Sequence, residues 1–396
     1  MPQSSIFLII LFFHLLGIEA WQNYLPSTRG EPVSGSMLTM KPGAWSSTSH
    51  AQNDDAQDVS YTGKSGKVCI VGGGFGGLYC ALALSSLTEN MTPRPQIVLL
   101  DKRERFVFLP LLYELCVGDA TLDEVAPTYE SILDGTGVDF VQAECLGIDV
   151  SQRSICVEDS ADAVTTVAEG LSYDALVLAT GTEATFSHVP GASSYAMPFY
   201  TIEDCFELRR RLNLLDCETE SSAPIEIVVV GAGYSGVELA LNIGERLGGG
   251  KRDVSVHLVH RGEDILQAAS EFNRDTSKKQ LEAKGVNILT GTSVLKVTGA
   301  PAVTEGDDRC SVTIQSKDGV ARQLNADLLL WTAGSKPADG VMNSSLPKDK
   351  AGRVVTGRAL RVKGLEDVFA IGDCSRAALD PYPGRYIFSW TNLFIS

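Results

Sequence analysis

The feature that most narrows what this chain can fold into is a glycine fingerprint that occurs twice. The copies are Gly72-Gly73-Gly74-Phe75-Gly76-Gly77 and Gly231-Ala232-Gly233-Tyr234-Ser235-Gly236. Each follows a short β-branched run, residues 68–71 and 225–230, and opens a helical pattern, residues 78–87 and 237–247. One such motif is weak evidence, but two in strand–turn–helix context give every glycine a task. The first permits the tight turn, the second lets the backbone approach a pyrophosphate, and the third lets helix and strand pack closely. The pyrophosphate would sit at the positive end of the helix dipole, against free backbone N–H groups. The candidate cofactor-binding residues are Gly72, Gly74, Phe75, Gly76 and Gly77 in the first copy. In the second they are Gly231, Gly233, Tyr234, Ser235 and Gly236. Two copies imply two dinucleotides in one chain, and electron traffic between them.

A chain of 396 residues with 44% hydrophobic content has room for two or three domains with real cores. The net charge of −16 argues against nonspecific nucleic-acid binding, because a polyanion would be repelled. The nine cysteines are scattered and include no C-x-x-C, which suits a reducing compartment and buried single thiols. Cys80, on the helix after the first fingerprint, stands alone with Ser85 and Ser86 where a redox partner would be. It reads as a small core residue. No metal-binding cluster is evident.

Residues 1–20 are signal-like, with an apolar run too short to span a bilayer. Residues 21–63 are rich in Ser, Thr, Pro and Gly and read as a disordered presequence or linker. Together they resemble the bipartite presequences of algae with secondary plastids, so the expected location is a plastid, with the mitochondrion as the alternative. The predicted fold is α/β, with two Rossmann-like dinucleotide-binding domains. Residues 64–190 and 335–396 form the first domain, its second part incomplete, and residues 191–334 are inserted as the second.

Strand ends sharpen the chemistry. In such units an acidic residue at the end of the second strand accepts the ribose hydroxyls. The first unit has Asp101, 24 positions after Gly77; the same offset in the second lands on His260, with Arg261 beside it. An acid there would repel the 2′-phosphate of NADP, whereas a His-Arg pair would attract it, so NADPH is expected to be accepted. A late strand ends in Gly372-Asp373 and would close the first site. Thr180-Gly181 and Thr332-Ala333-Gly334 look like the two crossings between the domains.

Residues 67–77, 105–114, 231–238 and 370–373 resemble the type II NAD(P)H:quinone oxidoreductases, most closely the plant and algal NAD(P)H dehydrogenase C1 branch. The stretch Phe108-Leu109-Pro110-Leu111-Leu112-Tyr113-Glu114 is the most specific part of the likeness. The resemblance implies the two-dinucleotide-binding flavoprotein fold, with FAD held by the first fingerprint, Asp101 and Gly372-Asp373, the last binding the ribityl hydroxyls. It implies NAD(P)H at the second fingerprint, hydride passing from nicotinamide to flavin, and electrons leaving to a plastoquinone- or ubiquinone-class membrane quinone without proton pumping. It assigns Glu238 a catalytic place at the flavin–nicotinamide junction, for positioning or proton handling. Pro110, Leu111 and Leu112 are implied beside the flavin, with core packing an equal alternative.

After Cys374 the likeness fails: no Ala-Gln helix and no amphipathic anchor follow. This reads as an incomplete or mis-spliced gene rather than a genuine short form. Peripheral membrane association and a homodimer are expected of the full-length family. The alternatives are a sulfide:quinone oxidoreductase using Cys145, Cys156 or Cys374, a soluble diaphorase, and a non-catalytic nucleotide-binding scaffold.

Overall fold

In the computed structural model, residues 66–159, 170–186, 189–217, 224–248, 252–299 and 309–377 are described. The signal-like segment, the presequence and almost all of the divergent tail lie outside the described residues.

The first sheet has seven strands: β1 Lys67–Val71, β2 Gln96–Asp101, β3 Val138–Asp149, β4 Ser154–Asp159, β5 Leu171–Ser172, β6 Ala175–Leu178 and β18 Val368–Ala370. Their order across the sheet is β18-β6-β1-β2-β3-β4-β5. The strands from β18 to β3 are parallel, and β3 then folds back on β4 with a register shift between Cys145 and Gly147. Parallel registers decide where the site lies. Val71 pairs with both Leu100 and Leu178, and Ala370 also pairs with Leu178. The carboxyl ends of four strands, far apart in sequence, therefore open at one edge. That is where an open α/β sheet binds its ligand.

Helix α1, Phe75–Thr88, leaves the first glycine turn and packs Leu78 and Ala81 against Ile70, Ile97 and Leu99. Cys80 packs at the border of this cluster, and burial raises its thiol pKa. The other face of the sheet buries Cys69, Val71, Leu176 and Leu178 against Val341, Leu346 and Val354. The last of these begins β17, Val354–Thr356, which pairs with β19, Ser375–Ala377.

The second sheet is made of β8 Met197–Pro198, β9 Ile225–Val230, β10 Val254–Val259, β11 Val286–Leu289 and β15 Leu328–Trp331, in the order β11-β10-β9-β15-β8. All its pairings are parallel. A three-stranded antiparallel layer, β12 Thr292–Gly299, β13 Cys310–Ser316 and β14 Ala321–Ala326, packs over it through Val297, Val312 and Ile314. The two crossings meet each other: β7, Thr182–Ala184, pairs antiparallel with β16, Ser335–Pro337. All described residues belong to one unit.

Three helices join the sheets. Helix α2, Leu112–Val117, buries Leu112, Leu115 and Cys116 against α3, Ile202–Cys217, and α4, Tyr234–Leu247. Sequence periodicity cannot show α2, because six residues are too few for a 3.6-residue repeat to emerge. Helix α3 is fixed at its start by Asp204, whose Oδ2 accepts from the backbone N–H groups of Tyr200 and Thr201 at 2.8 and 2.9 Å. Helix α5, Glu271–Ala283, is capped by Ser270, whose hydroxyl accepts from Asn273 N.

Candidate dinucleotide and redox site

The two glycine turns have the same construction. Gly72 and Gly231 take φ of 101° and 107°, a region that only glycine enters freely. A Cβ on Gly77 would stand 1.8 Å from Gly72 O, and one on Gly236 would stand 1.8 Å from Gly231 O. No larger residue fits either place. The middle glycines differ: a Cβ on Gly74 or Gly233 would meet nothing within 4 Å. That open space lies over the amino termini of α1 and α4, where exposed N–H groups favour a pyrophosphate. A Cβ on Gly76 would stand 3.3 Å from Ile371 Cδ1.

Asp101 ends β2 with its carboxylate turned onto the loop, where Oδ2 accepts from Gly73 N at 2.6 Å. His260 takes the corresponding place, and its Nδ1 accepts from Ala232 N at 3.3 Å. One backbone N–H is thus held by an anion in the first unit and by an imidazole in the second. Accepting at Nδ1 makes that imidazole neutral. Burial and the adjacent Arg261 both depress its pKa, with Asp264 opposing. The expected His-Arg attraction for a phosphate therefore changes: His260 tethers the loop, and the exposed Arg261 carries the positive charge.

Thr180 and Gly181 follow β6 beside the first turn, since Gly72 needs the space next to Ala179 O and Thr180 Cα. Gly181 has φ of 61°, and a Cβ there would meet nothing within 4 Å. Gly334, with φ of 86°, follows β15 at the second crossing. Gly372, with φ of 71°, and Asp373 follow β18; burial raises the Asp373 carboxyl's pKa. Pro110 and Leu111 lie on one turn of 3-10 helix and stay half-buried, whereas Leu112 is only 1% exposed and belongs to the core.

Helix α4 carries Tyr234, Ser235 and Glu238 to the seam against α2. Glu238 is half-buried, and burial together with the Glu114 charge pushes its carboxyl up to about 7. Glu114, on α2, is raised mainly by its own burial, and its Oε2 accepts no hydrogen bond among the described residues. The Tyr113 phenol is raised well above its usual value by burial and by Glu238, against a hydrogen bond with Ser235. Tyr113 stacks on Phe199 with ring centroids 5.0 Å apart. Tyr200 is raised by burial and by the charge of Asp373. A band of polar groups thus runs from Asp373 through Tyr200 and Tyr113 to Glu238 and Glu114.

Sequence reasoning singles out Glu238 but not Glu114, Tyr200 or Tyr129. Glu114 stands inside the stretch that carries the resemblance, yet nothing in its spacing shows that it faces α4. Tyr129 is a support of the first turn: its buried hydroxyl donates to Gly73 O at 2.8 Å. Among the described residues no group of three or more metal-ligating side chains occurs.

Two Rossmann units with open glycine cradles, joined through paired crossings, define a two-dinucleotide-binding flavoprotein. Residues 66–391 match the pyridine nucleotide-disulphide oxidoreductase family. The chain is 38% identical over 308 residues to the demethylphylloquinone reductase NdbB of Synechocystis, covering 78% of this chain and 71% of that protein. It is 37% identical over 329 residues to the alternative NAD(P)H-ubiquinone oxidoreductase C1, chloroplastic/mitochondrial, of Arabidopsis thaliana, covering 79% and 62%. The fold is shared with NDH2 of Plasmodium falciparum, solved in complex with NADH, at TM-score 0.66 and 22% identity over 79% of this chain and 65% of that one. The chain thus spans about two thirds of the length of these relatives. It belongs to the pyridine nucleotide-disulphide oxidoreductases and, within them, to the type II NAD(P)H:quinone oxidoreductases. Members of this family work with FAD and NAD(P)H.

Proposed function

We propose that the chain oxidises NAD(P)H and reduces a membrane quinone, without moving protons across the membrane. The observation that supports this most directly is the 37–38% identity to two quinone reductases. By name one acts on a naphthoquinone and the other on a benzoquinone, and the test below uses both classes. The residues present fit both cofactors. Gly72, Gly74, Phe75, Gly76, Gly77, Asp101, Thr180, Gly181, Gly372 and Asp373 would hold FAD. Gly231, Gly233, Tyr234, Ser235, Gly236, His260, Arg261 and Gly334 would hold NAD(P)H.

Bound FAD supplies a two-electron acceptor that can take a hydride and release electrons onward. The protein's part is to fix two rings against each other and to manage protons. Forming a quinol takes up two protons. A carboxyl with a pKa of about 7 is well matched to that task at neutral pH, and Glu238 has one. We assign Glu238 to proton handling at the seam, its proton affinity raised first by burial and then by the Glu114 charge. Arg261 favours NADPH through its charge beside the adenosine ribose.

The location is proposed to be a plastid, in keeping with the chloroplastic and cyanobacterial relatives. No described helix is long and apolar enough to cross a membrane, and attachment at the membrane surface is proposed with the quinone. A homodimer is proposed from the family pattern.

The test uses the purified chain reconstituted with FAD and mixed with NADPH, NADH or sulfide, then with a water-soluble naphthoquinone or a short-chain plastoquinone. NADPH should bleach the flavin, and quinone should restore its colour over many turnovers. Flavin reduced by NADPH but never reoxidised by quinone would leave only a diaphorase. Bleaching by sulfide would favour a sulfide:quinone oxidoreductase, a fold relative at TM-score 0.63 and 17% identity in the Aquifex aeolicus enzyme. Two of the three candidate cysteines argue against that outcome. Cys374 is buried between the Ile371 and Leu178 carbonyls, and burial pushes Cys145 up to about 11. Protein that retained no flavin would point to a scaffold.

A further inference from the structure

Both fingerprints bury their second residue and expose their third. Gly73 and Ala232 are buried, whereas Gly74 and Gly233 are exposed. In each unit the buried residue is held at both of its polar backbone atoms. Its N–H goes to the side chain at the strand end, Asp101 or His260. Its carbonyl has a different donor in the two units. Gly73 O accepts from the Tyr129 hydroxyl at 2.8 Å, and Ala232 O accepts from the backbone N–H of Leu266, also at 2.8 Å.

The carbonyl bond decides what faces the ligand. In a trans peptide the C=O of one residue and the N–H of the next point in opposite directions. Drawing Gly73 O inward to Tyr129 therefore turns the Gly74 N–H outward. It then faces the open space in which a Cβ on Gly74 would meet nothing within 4 Å. A pyrophosphate at the amino terminus of α1 would occupy that space.

We propose that Tyr129 is a positioning residue for FAD: its hydroxyl fixes the Gly73–Gly74 peptide so that the Gly74 N–H is aimed at the pyrophosphate before FAD binds. The proposal rests on the reading of the first cradle as the FAD site.

Tyr129 is held from several sides. It is only 2% exposed and opens the short helix Tyr129–Leu133, which Thr128 caps by accepting from Ser131 N at 3.3 Å. Its own N–H donates to Glu104 O at 3.0 Å, in the loop that follows β2. Its ring packs on Phe140 of β3 with centroids 4.6 Å apart. The phenol is thus anchored to two strands of the sheet and does not follow the glycine loop if the loop swings. Burial and the Asp101 charge raise its pKa, against Arg103, so the hydroxyl stays a donor. The close approach also accounts for the residue at position 73. A Cβ on Gly73 would be driven into the Tyr129 hydroxyl, so glycine is needed there. Ala232 carries its methyl at the matching place because its partner is a backbone N–H and not a ring.

The experiment titrates FAD into the flavin-free full chain and its Tyr129→Phe variant, following the quenching of flavin fluorescence. Losing the hydroxyl should weaken FAD binding about three- to tenfold, the loss of one hydrogen bond. Phosphorus NMR of the bound FAD supplies a second readout, in which the variant's pyrophosphate resonances should move toward those of free FAD. The Kd for NADP+ should stay within about twofold, because the second loop does not use Tyr129. Should Tyr129→Phe fail to fold, 4-aminophenylalanine placed at Tyr129 keeps the ring and a donor; that variant should fold and bind FAD within about threefold of the unaltered chain. A Tyr129→Phe chain with a lower Tm but the same FAD Kd and the same phosphorus spectrum would overturn the proposal, since the hydroxyl would then serve stability alone. So would a folded 4-aminophenylalanine chain that has lost FAD. An unaltered chain that binds no FAD would instead overturn the reading of the first cradle, and the proposal with it.

Discussion

Replacing Glu238 by Gln should make the protein more stable at alkaline pH while leaving it almost unchanged near pH 4.5. The folded carboxyl titrates at about 7 against an ordinary value of 4.5, with burial as the main cause and Glu114 the second. Its folded pKa lies above its unfolded one. Between those values the folded state keeps a proton that the unfolded state has released, so stability falls as pH rises through that window. At 1.36 kcal/mol per unit the accumulated cost is roughly 3 kcal/mol once pH exceeds the folded pKa. Gln keeps the shape and cannot ionise, so it escapes this cost. For a chain of this size, an unfolding entropy of about 2.1 cal/mol/K per residue corresponds to roughly 1–2 °C per kcal/mol and converts the gain into a melting shift of roughly 3–6 °C at pH 8.5. The assay is thermal unfolding of the FAD-loaded chain and its E238Q variant at a series of pH values from 4.5 to 8.5. The difference in Tm between the two cancels the titration of every group that does not feel the Glu238 charge. A difference that stays flat with pH would refute the reasoning, because Glu238 would then ionise as an ordinary surface carboxyl.

Three further outcomes follow from the same geometry. Glu114→Gln removes a like charge but not the burial, so the Glu238 pKa should move only part of the way back toward its ordinary value; the pH profile of NAD(P)H oxidation should show its inflection shifted to lower pH. Gly74→Ala should fold but retain flavin poorly, because the new Cβ enters the open cradle, whereas Gly77→Ala should fail to fold, its Cβ being placed 1.8 Å from Gly72 O; flavin absorbance per chain and a melting curve separate the two. Arg261→Ala should raise KM for NADPH about tenfold or more while changing KM for NADH little, since a charge-assisted contact contributes roughly 1.5–3 kcal/mol; equal losses for both nucleotides would remove the 2′-phosphate from the argument.

The parts of the fold that sequence reveals are those whose causes are local. A β-branched run followed by a glycine turn is written in adjacent residues, so β1, β9 and the helices after them can be read directly. Asp101 and His260 emerge from counting along a strand, and both stand where the count puts them. Helix α2 cannot be found this way. It is short, its N-cap accepts no side-chain bond, and it holds its shape by packing between α3 and α4. Everything that depends on α2 is hidden with it, including the approach of Glu114 to Glu238. Contacts between residues so distant in the chain arise only once the two sheets are set against each other.

The comparison of Asp101 with His260 shows what a shared backbone leaves free to vary. Both side chains end the second strand of their unit and accept from the second residue of the glycine loop, so both hold the turn in place. That structural duty needs only a lone pair, which a carboxylate and a neutral imidazole supply equally well. The charge that comes with it is then available for a different use. A carboxylate has lone pairs to spare for ribose hydroxyls and repels a phosphate. An imidazole that has given its one ring lone pair to Ala232 N–H offers no negative charge at all. Arg261 next to it can then act on a phosphate without an opposing anion at the strand end. Two loops of one construction can therefore differ in ligand through a single side chain, because the turn is indifferent to the charge of the atom that holds it.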